Sequence, residues 1–245
     1  MHPDTVADMA GSVVHHGSAN DRVYLMKLAA GNPAETVQDL ESLALARGYS
    51  KIIAKVPDTV RDCFETAGYR TEAEIQTARK KASEEAPGAI ADRFSFRVPT
   101  PNDAEAMAEL YRQVFATYPF PIHDPAYLRR TMAENVAYFG IWDGGRLVAL
   151  SSAEMCTASR SAEMTDFATL PEYRGSGLAS FLLQKMEEEM PERGVRTAYT
   201  IARAVSFGMN ITFARQGYRF GGTLTNNTNI SGDLESMNVW YKPLE

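Results

Sequence analysis

Cysteine is almost missing from this 245-residue chain: Cys63 and Cys156 stand far apart and in no metal-ligand spacing. That excludes a disulfide scaffold and a thiolate metal cluster, and reads as two reduced thiols packed as small hydrophobes. Histidine is also scarce, and the vicinal pair His15-His16 has no third ligand near it, so no metal site is expected. No apolar run approaches the length of a membrane span, and residues 1–20 lack the apolar core of a secretory leader. A cytoplasmic protein is expected, with the sequons at Asn210, Asn226 and Asn229 unglycosylated. An excess of positive charge is lacking too: 25 Lys and Arg against 31 Asp and Glu give a net charge of −6. This disfavours nucleic acid or an anionic membrane as the main partner. What is present is a globular composition, 44% hydrophobic and 23% charged.

The chain divides into four stretches. Residues 1–21 are small and polar and read as a flexible N-terminal arm. From Arg22 the pattern becomes regular. Residues 23–28 read as a strand, and Asn32-Pro33 opens a helix with proline at its favoured first position. That helix runs to about Arg47, with Val37, Leu40, Leu43 and Leu45 on and near one stripe, and Gly48 ends it. A second strand at 51–56, a short helix from Pro57-Asp58 to Ala67, and a third strand near 71–75 complete a β-α-β-α-β unit over 22–78. Residues 79–93 carry Arg79-Lys80-Lys81, Glu84-Glu85 and Pro87-Gly88, and read as a linker.

The remaining stretch, 94–245, predicts seven strands and four helices in a mixed α/β sheet. Asp143-Gly144-Gly145 marks a hairpin, because glycine supplies the positive φ of a tight turn. The two regions also resemble each other: Phe64, Gly68-Tyr69-Arg70 and Phe213, Gly217-Tyr218-Arg219 share F-x-x-x-G-Y-R after strand, helix and strand. The first copy has only Ala30-Gly31-Asn32-Pro33 where the second has a glycine loop.

That loop, Arg174-Gly175-Ser176-Gly177-Leu178-Ala179, lies between a strand and a helix. Small residues there let backbone N–H groups converge, and the helix start adds partial positive charge, so the expected ligand is an anion, most naturally a pyrophosphate. No Gly-Lys-Ser/Thr follows, and the spacing is not that of a dinucleotide fingerprint.

With the preceding Asp166-Phe167-Ala168-Thr169-Leu170-Pro171-Glu172-Tyr173, the loop resembles motif A of the GNAT superfamily of N-acetyltransferases. The likeness spans 94–242 and implies a mostly antiparallel mixed sheet with helices on both faces. It makes the 22–78 unit a degenerate half of the same fold. It also implies acetyl-CoA as co-substrate and no metal: Phe167, Ala168 and Thr169 would line the pantetheine, and Arg174, Gly175, Ser176, Gly177, Leu178 and Ala179 the pyrophosphate. Ser206 and Phe213 stand where the family often has Asn and a Tyr that protonates the leaving thiolate, with Asn210 one turn on as a further cofactor contact.

Acetyl transfer needs a neutral amine, and deprotonating a lysine-type ammonium at pH 7 costs roughly 4–5 kcal/mol. A placed carboxylate can take that proton. Glu163 matches the position of the family's catalytic glutamate; Asp166 and Glu154 are alternatives that could equally hold a cationic substrate. The tail, including residues 199–204, 222–230 and 235–242, is similar to the β-lysine N-acetyltransferase family, as are residues 49–57 and 118–125. The resemblance implies acetylation of the ε-amine of β-lysine to give the compatible solute N6-acetyl-β-lysine. Candidate substrate contacts are Phe120, His123 and Asp124 in the Pro-punctuated loop, and Asn226, Asn227 and Glu235 in the tail. Another small amine, a protein lysine, or a non-catalytic acyl-CoA-binding module are the alternatives, and a homodimer is left open.

Overall fold

A computed structural model describes residues 5–18, 20–71, 90–230 and 232–244, and the chain separates into two units. In the first, β1 (Thr5–Met9) and β2 (Ser12–Gly17) form an antiparallel hairpin whose two-residue turn is Ala10 (φ 51°) and Gly11 (φ 88°). Positive φ at both central residues matches the right-handed twist of the flanking strands. These strands correct the expected flexible arm over 1–21. The hairpin extends the sheet by pairing β2 with β3 (Arg22–Lys27), and its apolar Val14 is buried with Val23 and Leu25. His15 and His16 point to opposite faces, as neighbours on a strand must: His15 is buried, and His16 Nδ1 lies 3.4 Å from the Tyr49 hydroxyl.

Helix α1 (Pro33–Arg47) begins as expected, with the Asn32 side chain accepting from Ala34 N, and ends at Gly48 in the left-handed region. Val37, Leu40 and Ala44 face the core, while Leu45 falls off the stripe and is 86% exposed. β4 (Lys51–Ala54) then pairs parallel with β3, and α2 (Arg61–Thr66) brings Phe64 into the core against Tyr69. The sheet order is β1-β2-β3-β4. The third strand expected near 71–75 and most of the expected linker lie outside the described residues.

The second unit holds a seven-stranded sheet in the order β10-β11-β9-β8-β7-β6-β5. Its elements are β5 (Phe94–Arg97), α3 (Ala104–Val114), α4 (Pro125–Ala133), β6 (Val136–Asp143), β7 (Arg146–Cys156), β8 (Ser161–Thr169), α5 (Leu178–Glu189), β9 (Thr197–Arg203), α6 (Phe207–Arg215), β10 (Arg219–Ile230) and β11 (Asp233–Pro243). All neighbours are antiparallel except β8 and β9, which α5 connects as a crossover. The central strands β6 and β7 are buried on both faces, hence their nearly continuous apolar runs. Gly140 on β6 has no room for a side chain: a Cβ there would lie 2.4 Å from the Trp142 indole.

β10 runs to Ile230, with an irregularity between Leu224 and Thr228 where Asn226 takes φ 46°. The Asn-rich run is therefore a bulged strand, and its Asn227 is buried. The order β6-β7-β8-α5-β9-α6 also repeats that of β1-β2-β3-α1-β4-α2 in the first unit, three antiparallel strands, a helix, a parallel strand and a helix. The shared motif packs alike in both: Phe64–Tyr69 and Phe213–Tyr218 are edge-on ring pairs at 5.3 and 5.2 Å.

Candidate active site

The site is organised by β8. One edge of this strand pairs with β7 along its length, while the other meets β9 at Ser161–Thr197, Ala162–Ala198 and Glu163–Tyr199, where that ladder stops. β9 continues on its far edge against β11 as far as Arg203 opposite Met237, so a wedge opens between β8 and β9 beyond Glu163. A bulge lies at the start of the wedge. Leu150 faces Ala168 and Ser152 faces Thr165, which leaves β8 one residue longer than β7 between those rungs. Asp166 falls in the bulge with φ 55°, a conformation that Asp and Asn tolerate better than most residues.

Residues directly opposite across a sheet share a face. Glu154 and Glu163 are such a pair, and Ser152 and Thr165 are the next on that face. The Asp166 carboxylate turns to it too: Ser152 Oγ donates to Asp166 Oδ2 at 2.6 Å, and Thr165 Oγ1 lies 3.5 Å from Oδ1. The fold thus brings the three predicted carboxylates together. Tyr138 stands opposite Ser152 on β6, its hydroxyl 2.9 Å from Thr131 Oγ1 of α4, and Tyr127 of α4 joins the cluster. Both phenols are pushed well above their usual range, first by burial and then by the charge of Asp166, with Glu154 adding to it. They remain neutral phenols beside anions, able to donate hydrogen bonds to carboxylates.

On the far side of the bulge, Phe167 packs edge-on against Phe213 at 5.7 Å, Ala168 is buried opposite Leu150, and the Thr169 carbonyl accepts from Arg174 Nε at 3.2 Å. That bond folds Arg174 back along the strand end. Gly175 (φ 80°) and Gly177 (φ 76°) then turn the chain into α5, exposing Gly175, Ser176 and Gly177 while Leu178 anchors the helix inside. The first N–H groups of a helix have no intrahelical acceptor, so this exposed junction offers several donors and the positive end of a helix to an anion. Ala179 follows in the first turn of the helix, and Gln216 Nε2 braces that turn by donating to Ser180 O and Oγ at 2.7 and 2.8 Å.

Several other candidates are committed elsewhere. Ser206 stands at the start of α6 and makes no side-chain cap. Asn210 is saturated: its Nδ2 donates to the carbonyls of Arg203 and Ser206 at 2.9 Å, and its Oδ1 accepts from Asn238 Nδ2 (3.0 Å) and Trp240 Nε1 (2.8 Å). It clamps α6 to β9 and β11, and no donor or acceptor of its amide is left for a cofactor. Glu235 lies in the two-pronged grip of Arg203, 2.8 and 2.5 Å, rather than open to a substrate ammonium. Asp124 caps α4 by accepting from Ala126 N, and the half-buried His123 imidazole is shifted below its usual pKa by desolvation, with Arg112 adding to it. Phe120 clusters with the N-terminal unit, its ring 4.9 Å from that of His15. Asn226 N donates to Ser236 Oγ at 3.0 Å, holding the bulge of β10.

Sequence reasoning missed Ser152, Tyr127 and Tyr138. Strand alternation places Ser152 on the face of Glu154, two residues away, but the bulge that aims Asp166 at it carries no local signal.

The model of the acetyltransferase (GNAT) family matches residues 104–218. Among solved structures, the ribosomal-protein-S18-alanine N-acetyltransferase from Escherichia coli superposes with a TM-score of 0.54 at 17% identity, covering 62% of this chain and 94% of that one. The chain belongs to the GNAT acetyltransferases, enzymes that transfer acetyl from acetyl-CoA to an amine. Within that family it is 38% identical to a β-lysine N(6)-acetyltransferase of Methanococcus maripaludis, over 98% of both chains. It is 41% identical to the N-acetyltransferase YodP of Bacillus subtilis, over 74% of this chain and 66% of the relative.

Proposed function

We propose that the chain acetylates the ε-amine of β-lysine, with acetyl-CoA seated in the β8–β9 wedge and its pyrophosphate on residues 174–179. The observation that carries the acceptor is the full-length similarity to a β-lysine N(6)-acetyltransferase. The carboxylate cluster agrees with it. β-Lysine brings two ammonium groups, and the face of β7 and β8 brings Glu154, Glu163 and Asp166.

Their settings divide the work. Glu154 and Glu163 stand directly opposite each other on one face of the sheet. Glu163, at the apex of the wedge, is the proton acceptor in this reading. Asp166, hydrogen-bonded and fixed in the bulge, is the anchor for the cation. The amine nitrogen bonds to the thioester carbonyl carbon and gives its proton to the carboxylate, and the C–S bond breaks. Phe213, 1% exposed between Phe167 and Tyr218, donates no proton to the departing sulfur. A thiol with a pKa near 8.5 leaves as the thiolate without much help. The product is N6-acetyl-β-lysine, a compatible solute, made in the cytoplasm.

Turnover of acetyl-CoA with β-lysine, lysine, spermidine and a lysine-bearing peptide tests the reading. The highest kcat/KM is expected for β-lysine; a preference for the peptide refutes it.

A further inference from the structure

We propose that Ser152 is a positioning residue for the acceptor amine: its hydroxyl fixes the Asp166 carboxylate in its charged form and aims it into the site. This rests on the reading above, in which Asp166 meets the cation. Ser152 has no solvent exposure, and its Oγ donates to Asp166 Oδ2 at 2.6 Å. A buried hydroxyl spent on one carboxylate oxygen is a strong, charge-assisted bond, and it favours the ionised form. The backbone supplies a second constraint, because Asp166 is held at φ 55° by the bulge opposite Ser151.

The surroundings make such a donor necessary. Glu154 on β7 and Glu163 on β8 share the face, Tyr138 looks on from β6, and α4 presents Tyr127 with Arg130 and Glu134 beside it. Helix α3 packs on the same strands with Tyr111 inside, while its Glu105 and Arg112 pair at the surface with Arg129 and Glu109. Carboxylates crowded on one face favour protonation of one of them. Ser152 favours the ionised form of Asp166, and without its hydroxyl Asp166 joins the groups that take up a proton as the pH falls. Ser151 provides the contrast. It is equally buried on the opposite face, where its Oγ points to Met186 Sδ of α5 at 3.1 Å.

The test is the pH profile of kcat/KM for the preferred amine in Ser152→Ala, Ser151→Ala and Asp166→Asn. Removing a hydrogen bond to the charged carboxylate is expected to move the acid limb of Ser152→Ala upward by about one pH unit. Below that limb the amine KM should rise about tenfold, the KM for acetyl-CoA staying within about twofold. Ser151→Ala should leave the limb where it is. Ser152→Cys keeps the shape of the side chain but donates weakly, and should shift the limb in the same direction even if the alanine variant folds poorly. An unmoved limb in a folded Ser152 variant, with Asp166→Asn impaired, overturns the positioning role alone. Wild-type kcat/KM in Asp166→Asn overturns the reading of the site and this inference with it.

Discussion

Asn210→Ala separates a scaffold from a cofactor contact. The wild-type amide makes four hydrogen bonds, and its removal strands Trp240 Nε1, Asn238 Nδ2 and the carbonyls of Arg203 and Ser206 in a partly buried junction. Net hydrogen-bond contributions near 1 kcal/mol each, reduced because water reaches some of these groups, give a loss of about 2–4 kcal/mol. For a chain of this size each kcal/mol lowers Tm by about 2–4 °C, so a drop of roughly 6–12 °C is expected for a loss near 3 kcal/mol. Thermal unfolding and urea denaturation measure it, and steady-state kinetics at a temperature where the variant is folded complete the test. The KM for acetyl-CoA should change by less than about threefold, since the amide has nothing left to offer a ligand. A Tm within about 2 °C of wild type, together with a KM for acetyl-CoA raised tenfold or more, refutes the scaffold assignment.

Gly177→Ala tests the anion loop. Its Cβ would meet no protein atom within 4 Å but would have to adopt φ 76°, so the fold should survive at a cost of about 1–2 kcal/mol while the KM for acetyl-CoA rises tenfold or more; unchanged affinity removes the loop from the cofactor site. Asp103→Asn tests an acid-sensitive cap. Arg97 first, and then the Thr100 N–H and hydroxyl, hold the Asp103 carboxyl well below its usual range. A depressed carboxyl contributes stability that is complete above the unfolded pKa near 3.9 and is lost as pH falls below it. The variant should be about 1 kcal/mol less stable at pH 7, the gap narrowing below about pH 4 in urea titrations; a gap that is the same at pH 7 and pH 3 contradicts the assignment.

Local signals carried much of the architecture. Asn32-Pro33 and Gly48 bounded α1 at both ends, because capping and left-handed termination are decided within a few residues. Gly144 and Gly145 announced the β6–β7 hairpin for the same reason. The β1–β2 hairpin escaped because Ala10 is an unlikely residue for a positive φ and Thr5–Met9 shows no apolar alternation. The site was legible to the extent that its residue types were in view, but not their partners. Asn210 and Trp240 are 30 residues apart, Arg203 and Glu235 are 32 apart, and nothing short-range says that each completes the other. The same holds for Asp166, whose direction depends on an extra residue in β8 counted against β7.

With acetyl-CoA seated in the wedge between β8 and β9, as proposed, the enzyme's heat tolerance becomes a gauge of its supply. Sheet edges that no strand closes are completed by water, and a ligand that replaces that water with fixed bonds favours the folded chain by mass action. In the first unit, β3 and β4 zip from Arg22–Lys51 to Leu25–Ala54, and Asn32 fills the start of α1 with its own side chain, so among the described residues that half shows no such gap between its parallel strands. Melting curves should therefore rise with acetyl-CoA concentration through the second unit alone, about 2.7 kcal/mol at a hundredfold excess over Kd. A cell poor in acetyl-CoA would then hold this protein in its least durable form.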